Sequence, residues 1–291
     1  MKLELLLQAI KMPTEQYGSP YDILDNIRIA KEKNIDILVG PEWSLTSPPG
    51  IFSKSLLRGK KSEKVVEAMF NAPDYNDYVP RDAKEILLES IEEGVKKFEE
   101  VPYIPHSKIE HDKLISEIMR ESKEADMLIF PGTDMFYDEK RILYNNMPII
   151  YSGRLIKNIY KARDGLGSRF NLGGKLCLYS VENIEYFGNK PDYSQFFGNN
   201  PIIKSYGLNS AVEICADSGL LNSMGVTNLD MQILSSCGNS STVSVTKDKG
   251  YLIAVDGFKE GTVRVNNKYE RKMKPIERNK NYEIYKLDFD I

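Results

Sequence analysis

Two similar segments, each an apolar run that follows a helical pattern, constrain the fold of this chain most strongly. Residues 35–42 read Ile-Asp-Ile-Leu-Val-Gly-Pro-Glu, and residues 125–132 read Ala-Asp-Met-Leu-Ile-Phe-Pro-Gly. Short apolar runs that end at Gly or Pro are typical of buried strands. Because each run follows a helix, the sequence predicts a mixed α/β fold with an internally duplicated helix–strand unit.

The remaining periodicity predicts helices early in the chain and strands late. A first helix has Ser19 as its N-cap, Pro20 at its first position, Asp22 as a capping-box acid and Asn34 as its left-handed end. Further helices are predicted over residues 81–100 and 110–123. Strands are predicted over residues 3–8, 35–39, 127–130, 141–151, 155–160, 211–214, 232–234, 251–255, 262–265 and 282–288.

Length and composition favour one domain in an aqueous environment. The 291 residues are predicted to form a single domain, 1–291, with a long excursion at about 43–81 that has no sustained period. The formal net charge is only −3, so nucleic acid is not expected as a partner. The apolar N-terminus is interrupted by Glu4, and no apolar run approaches the roughly 20 residues that span a bilayer. We therefore expect no membrane association and a cytoplasmic location.

Cysteine and histidine usage limits the chemistry. The three cysteines are Cys177, Cys215 and Cys237, none in a Cys-x-x-Cys pair, and the two histidines are His106 and His111. This pattern excludes a disulfide framework and predicts no metal site. Cys177 and Cys237 are interpreted as buried or wall-packing cysteines. A glycine-rich stretch that begins at Gly165 lacks the third glycine and the lysine of phosphate loops and is interpreted as a loop.

Three residues at strand ends are candidates for catalysis. Cys215 follows a short strand and would be a nucleophile if a helix begins after it, although an inert buried thiol is the common alternative. A base is needed, and the two histidines lie in a polar stretch that opens a surface-type helix. Glu42 and Lys161 each follow an apolar strand, and a solvated glutamate remains the alternative for Glu42.

The residues around these three positions resemble the catalytic motifs of the nitrilase superfamily, the carbon–nitrogen hydrolases. Gly-Pro-Glu-Trp-Ser-Leu-Thr surrounds Glu42, Gly-Arg-Leu-Ile-Lys-Asn-Ile-Tyr-Lys-Ala-Arg contains Lys161, and Val-Glu-Ile-Cys-Ala-Asp contains Cys215. They occur in the family's order, separated by 119 (161 − 42) and 54 (215 − 161) residues. Gln8 and Tyr144-Asn145-Asn146 are also similar, and the resemblance weakens after about residue 236.

This resemblance implies a four-layer α-β-β-α sandwich and a homodimer. It implies Glu42 as base, Lys161 as cation and Cys215 as nucleophile, with no cofactor and no metal. The backbone N–H near Ala216 would bind the oxyanion, and Trp43, Ser236 and Asn239 are further pocket candidates. Trp43 is assigned equally to pocket wall and core.

The sequence also departs from the family's pattern, so the substrate stays open. Arg163 replaces the usual histidine, Ser-Gly-Leu-Leu follows Asp217, and Ser47-Pro48-Pro49 follows the glutamate motif. Hydrolysis of a small amide is the favoured function. The same residues serve nitrile or carbamoyl hydrolysis and amine acyl transfer, and a binding or regulatory protein with altered turnover is the alternative from another class.

Overall fold

Fifteen strands in two sheets and three α-helices make up the part of the chain that the computed structural model describes, residues 2–12, 21–46, 106–137, 142–161, 177–178, 201–239, 241–257, 261–267 and 272–290. The strands are β1 (Lys2–Ile10), β2 (Ile37–Val39), β3 (His106–Ser107), β4 (Leu128–Phe130), β5 (Asp134–Tyr137), β6 (Ile142–Tyr151), β7 (Arg154–Tyr160), β8 (Cys177–Leu178), β9 (Ile203–Ser205), β10 (Leu208–Ile214), β11 (Leu229–Ser236), β12 (Thr246–Asp256), β13 (Thr262–Asn267), β14 (Glu277–Arg278) and β15 (Tyr282–Asp290). The helices are α1 (Asp22–Glu32), α2 (Lys108–Glu121) and α3 (Leu220–Ser223), and a 3-10 turn spans Cys215–Asp217.

The first sheet has ten strands, and the directions of its central strands determine where the site lies. Its order is β14-β15-β1-β2-β4-β6-β5-β3, with β7 and β8 also paired to β6. Strand β2 is parallel to β4, while β6 is antiparallel both to β4 and to β7. Two reversals restore the direction, so β7 runs the same way as β2. The residues that follow β2 and β7 therefore leave the sheet at the same edge.

The second sheet has five strands in the order β13-β12-β11-β10-β9. Its three central strands, β10, β11 and β12, are parallel, and their carboxyl ends lie together at one edge. The two flanking strands pair antiparallel. In open sheets, the carboxyl ends of parallel strands are the edge at which functional residues collect.

The hydrophobic core lies between the two sheets. Buried residues of the first sheet such as Leu7, Val39 and Phe130 share one cluster with Ile214 and Ile233 of the second. Helices α1 and α2 pack on the outer face of the first sheet through a separate apolar cluster. On the outer face of the second sheet, α3 packs in a small cluster of its own. Two facing sheets with helices outside confirm the predicted α/β class and nitrilase-like sandwich.

The local signals around the first helix are confirmed except at its start. Ile23, Ile27 and Ala30 are fully buried, as the helical period predicts. Asn34 has a φ of 53°, the left-handed conformation that ends helices. The start lies two residues after the predicted first position at Pro20: the helix begins at Asp22, and the N-cap position is Tyr21, which makes no side-chain capping hydrogen bond.

The turn before Lys161 is one residue shorter than the gap between the predicted strands 141–151 and 155–160. Ser152 and Gly153, with φ of 47° and 71°, are its only turn residues, and Arg154 already belongs to β7. Positive φ at both turn residues is the geometry that matches the twist of two-residue hairpins. The turn sets the first pairs of β6 and β7, and a shift of one residue between Ile150 and Ile149 sets the register of the pairs that lead to Lys161.

Several predictions fall outside the described residues. They are the Ser19–Pro20 cap, the excursion beyond residue 46, the helix at 81–100, Arg163, the loop from Gly165 and the side chain of Cys177. The other predicted strands and the helix at 110–123 are confirmed, with ends shifted by a few residues. None of the described helices is long and apolar enough to cross a membrane.

Candidate active site

Glu42, Lys161 and Cys215 converge where the two sheets face each other. Glu42 follows β2, Lys161 follows β7 at the same edge of the first sheet, and Cys215 follows β10 of the second sheet. The Ser235 hydroxyl at the end of β11 donates a 2.9 Å hydrogen bond to the Gly40 carbonyl after β2, which ties the two edges together. The convergence therefore follows from strand direction within each sheet and from the packing of the two sheets on a shared core, with this hydrogen bond joining the two edges.

Glu42 is a buried carboxylate with unequal oxygens. Its side chain is 0% exposed, so the solvated-loop alternative is wrong. Oε1 accepts hydrogen bonds from Lys161 Nζ at 2.7 Å and from Asn145 Nδ2 at 3.1 Å. Oε2 is buried and has no hydrogen-bond partner among the described residues. The two bonds orient the carboxylate and leave Oε2 as an acceptor.

Lys161 is held by backbone and side-chain contacts. Its backbone N–H donates to the Asn145 carbonyl at 2.8 Å, and its side chain is buried. The ammonium lies 5.8 Å from the centroid of the Trp43 ring, within the range of a cation–π contact. Trp43, for which pocket wall and core were equal interpretations, is half-buried beside the candidate site. A buried ammonium next to a buried carboxylate is the arrangement that burial of charge requires.

Cys215 occupies a strained turn. Its φ of 46° is in the left-handed region that non-glycine residues rarely adopt, and a 3-10 turn begins at this residue. The condition stated for a nucleophilic Cys215, a helix that begins after it, is met here by a 3-10 turn followed by the four-residue α3. Ala216 is exposed in that turn. N–H groups at the start of such a turn have no partner within it.

The Cys215 thiol is protonated in the resting site. Burial, and then the charge of Glu42, raise its pKa to about 12, while the Lys161 ammonium acts in the opposite direction. Sγ lies 3.8 Å from the Cys237 carbonyl oxygen, to which it donates. Both charged residues thus act electrostatically on the sulfur. Since the ordinary thiol pKa is about 8.5, almost no thiolate exists at neutral pH without a base.

The segment after β11 contacts the Cys215 turn. Asn239 Nδ2 donates a 2.9 Å hydrogen bond to the Cys215 carbonyl, and the buried Ser236 hydroxyl donates to the Asn239 carbonyl. Gly238 N–H is held at 2.8 Å by Asp256 at the end of β12. The structure therefore places the candidates Ser236 and Asn239 around the cysteine, as supports of the turn, and Cys237 beside the thiol.

Two contributors to this site were missed from the sequence. Asn145, which orients Glu42, lies within Tyr144-Asn145-Asn146 but was not assigned a role. Glu213 lies in the cysteine motif and is buried two residues before Cys215. A buried polar residue inside a strand pattern is a signal in itself, because such groups are buried only with partners.

The histidines do not open a surface helix as expected. His106 and His111 are both buried, and their Nδ1 atoms lie 2.9 and 2.8 Å from different oxygens of Asp134. Burial alone would raise the pKa of Asp134, but the imidazoles hold it below its usual value. His111 stacks on Phe136 at a centroid distance of 3.9 Å. Among the described His, Cys, Asp and Glu side chains, no group is arranged to hold a metal ion.

The comparisons with known proteins identify the fold. No protein-family model and no curated protein matches the sequence. Among solved structures, Nit3 of Saccharomyces cerevisiae, a member of branch 10 of the nitrilase superfamily, is 15% identical with a TM-score of 0.52, covering 99% of this chain and 90% of Nit3. A mutant of the Nesterenkonia AN1 amidase, from the nitrilase superfamily, is 8% identical with a TM-score of 0.52, covering 98% of this chain and 90% of the amidase.

A longer enzyme shares the same fold. The glutamine-dependent NAD+ synthetase of Acinetobacter baumannii is 12% identical with a TM-score of 0.51, covering 99% of this chain. The chain spans 46% of that synthetase, so it corresponds to less than half of it. At these identities the likeness concerns backbone architecture. The chain has the fold of the nitrilase superfamily, in a form whose sequence has diverged widely from these solved structures.

Proposed function

We propose that this chain is a thiol-dependent carbon–nitrogen hydrolase that cleaves a small amide through a thioester on Cys215. The observation that carries the proposal is the buried Glu42–Lys161 pair at 2.7 Å, whose two charges both act on the Cys215 thiol. A cysteine nucleophile with a base and a cation is the set of groups that covalent amide hydrolysis needs. The fold shared with an amidase of the nitrilase superfamily adds support.

The raised thiol pKa assigns the first step to a base. Because Cys215 rests as a thiol, its proton must move to a carboxylate as sulfur attacks, and Glu42 Oε2 is the acceptor with no hydrogen-bond partner among the described residues. A bond forms between Sγ and the amide carbon, and the carbonyl electron pair moves to oxygen. Lys161 and the backbone N–H near Ala216 stabilise this oxyanion.

The later steps return the enzyme to its starting state. As the intermediate collapses, the carbon–nitrogen bond breaks and the protonated Glu42 gives its proton to the departing amine. Glu42 then takes a proton from water, whose oxygen attacks the thioester carbon. The carbon–sulfur bond breaks, the acid leaves, and the thiol recovers its proton from Glu42. Every group in this cycle belongs to the chain, and neither a cofactor nor a metal takes part.

Trapping the acyl-enzyme tests the proposal. The wild-type protein is mixed with single small amides and quenched at intervals, and its intact mass is measured. We expect a transient adduct with the mass of the acyl group, located on Cys215 by peptide mapping, together with release of the acid. Nitriles and carbamoyl compounds are tested in parallel. Discharge by added amine without acid release would indicate acyl transfer, and no adduct with any compound would indicate a binding protein.

The cytoplasmic location and the homodimer remain proposals that rest on the sequence and on the family resemblance. Analytical ultracentrifugation at several protein concentrations measures the oligomeric state directly. A species of twice the 33.2 kDa chain mass is expected. A monomer across the whole concentration range would contradict it.

A further inference from the structure

Glu213 is a buried carboxylate that binds the backbone behind the candidate nucleophile. It lies on β10, is 0% exposed, and precedes Cys215 by two residues. Oε1 accepts a 3.0 Å hydrogen bond from the backbone N–H of Leu221, and Oε2 accepts from Gln232 Nε2 at 3.0 Å and from the Thr242 hydroxyl at 2.5 Å. Each oxygen therefore has an N–H donor, and the carboxylate is buried among neutral partners.

These contacts connect three segments. The same Thr242 hydroxyl accepts from Gly219 N–H at 2.9 Å, and Ser218 donates to the Ser241 carbonyl at 2.6 Å. Gln232 accepts from Val245 N–H at 2.8 Å. The chain that leaves Cys215, the middle of β11 and residues 241–245 thus meet at one carboxylate. Losing that carboxylate would remove the hydrogen bonds from Leu221, Gln232 and Thr242 that join them.

The backbone between Cys215 and α3 needs such support. Cys215 has a φ of 46° and Gly219 a φ of 84°, so two left-handed residues lie within five positions. Backbone in sparsely populated conformations persists only where surrounding contacts hold it. The charges that shift the Cys215 pKa come from Glu42 and Lys161. Glu213 therefore acts on the turn through the backbone that follows it, by a hydrogen bond from Leu221 N–H and, through the Thr242 hydroxyl, at Gly219 N–H.

We propose that Glu213 is the positioning residue of the Cys215 turn, and that its carboxylate keeps the thiol and the neighbouring backbone N–H groups aligned for attack on the substrate carbon. This inference rests on the proposed function. It assigns to the strand before the cysteine a role in holding residues 219–221, the stretch in which the sequence departs from the family's pattern after Asp217.

Glu213→Gln is the direct test, because it keeps the shape of the side chain and replaces one accepting oxygen by an NH2 donor. Whichever way the new amide is oriented, its NH2 group faces either Leu221 N–H or the NH2 of Gln232. Misplacement of reacting groups by about 1 Å costs roughly 10²-fold in rate. We expect kcat to fall roughly tenfold to hundredfold with little change in KM, and amide hydrogen exchange in residues 218–221 to accelerate.

Two controls separate positioning from general stability. Thr242→Val removes the hydroxyl that joins Gly219 to Glu213 and should lower kcat, whereas Thr242→Ser keeps it and should restore kcat. Glu283→Gln removes another buried carboxylate, on β15, where Arg278 Nε lies 2.8 Å away. That variant should lose stability but keep kcat and the slow exchange of residues 218–221.

The outcomes distinguish the two proposals. If the wild type hydrolyses amides and Glu213→Gln matches Glu283→Gln in kcat and in exchange, the Glu213 proposal is wrong and the proposed function stands. If the wild type forms no adduct, the proposed function is wrong. The positioning role is supported if Glu213→Gln and Thr242→Val both show reduced kcat and accelerated exchange. Thr242→Ser and Glu283→Gln should then show neither effect.

Discussion

Glu42 and Asp134 are both fully buried carboxylates with charged or ionisable partners, and their surroundings differ in whether a thiol lies beside them. Glu42 Oε1 accepts hydrogen bonds from Lys161 and Asn145, while Oε2 has no hydrogen-bond partner among the described residues. Asp134 lies between two imidazoles: its Oδ2 is hydrogen-bonded to His106 Nδ1 at 3.1 Å and to His111 Nδ1 at 2.8 Å, while Oδ1, like Glu42 Oε2, has no hydrogen-bond partner among the described residues. Within the part of the chain that the structure describes, only the Glu42 cluster has a thiol whose pKa its charges shift.

The difference indicates that burial of charge by itself does not identify a catalytic site. A buried carboxylate that has charged or polar partners but no nucleophile beside it is satisfied by those partners and has no proton to receive from a reacting group. A carboxylate with one accepting oxygen beside a nucleophile can receive a proton. We therefore interpret the Glu42 cluster as the reacting site and the Asp134 cluster as a structural one, and the experiments below challenge that division.

The largest expected effect is the loss of the sulfur. Cys215→Ala should abolish turnover and acyl-enzyme formation, since no thioester can form, while circular dichroism stays unchanged. Cys237→Ser is the matched control, because it alters the other half-buried thiol beside the site. Steady-state kinetics and intact mass measure both. Residual acylation of the Cys215→Ala protein would assign the nucleophile elsewhere.

Neutralising either charge of the Glu42 cluster should have the next largest effect. Glu42→Gln removes the base, and Lys161→Met removes the charge that stabilises the oxyanion; each should lower kcat by about 10² to 10³. The double variant should be little worse than the worse single variant, because residues of one mechanism are not additive. More than about a tenth of wild-type turnover in either single variant would contradict the site.

The rate at which Cys215 reacts with iodoacetamide should change in opposite directions in Glu42→Gln and Lys161→Met. Glu42 raises the pKa of Cys215 and Lys161 lowers it, so Glu42→Gln should react faster with iodoacetamide than the wild type and Lys161→Met more slowly. Wild-type alkylation should rise about tenfold per pH unit through about pH 10, since the thiolate fraction grows at that rate below the pKa. Peptide mapping distinguishes Cys215 from Cys237. A plateau near about pH 8 would show that the thiol pKa is not raised.

The Asp134 cluster should affect stability more than turnover. Asp134→Asn should lower the free energy of unfolding by about 2 kcal/mol at neutral pH, because a buried charged hydrogen bond is lost. The folded-state pKa of Asp134 is lowered, so its stabilisation is complete above about pH 5 and is lost as the pH falls through about 4 and below. Urea unfolding at several pH values should show a shallower acid slope in the variant.

Asp290→Asn is the surface control for that measurement. Its carboxylate pairs with Lys249 at the exposed end of β15, and exposed pairs contribute little. The folded Asp134→Asn protein should keep wild-type kcat. If kcat of Asp134→Asn fell as much as that of Glu42→Gln, with no change in unfolding, the Asp134 cluster would take part in catalysis.

The smallest expected effect is that of chelation. The sequence offers no pattern of metal ligands, so exhaustive treatment with EDTA should leave kcat unchanged. Activity that disappears with EDTA and returns with zinc would mean that a metal takes part, with His106, His111 and Asp134 the first residues to test.

Much of the fold was predictable because its signals are local. The apolar runs predicted the strands around residues 37–39, 128–130 and 208–214, and the burial of Ile23 and Ile27 followed from helical period. The start of α1 was less predictable: the observed helix begins at Asp22, two residues after the predicted first position at Pro20. The surface interpretation of His106 and His111 failed because a polar stretch does not reveal a distant partner such as Asp134.

By itself, the sequence determined which residue types end the strands and the order in which the three motifs occur. The tertiary structure decided how they meet: Lys161 reaches Glu42 across 119 residues only because two antiparallel pairings return β7 to the direction of β2. It also decided that Asn145 orients Glu42 and that Glu213 holds the chain after Cys215. Periodicity reports which face of an element is apolar, whereas these contacts depend on strand order and register, which are properties of the assembled sheets.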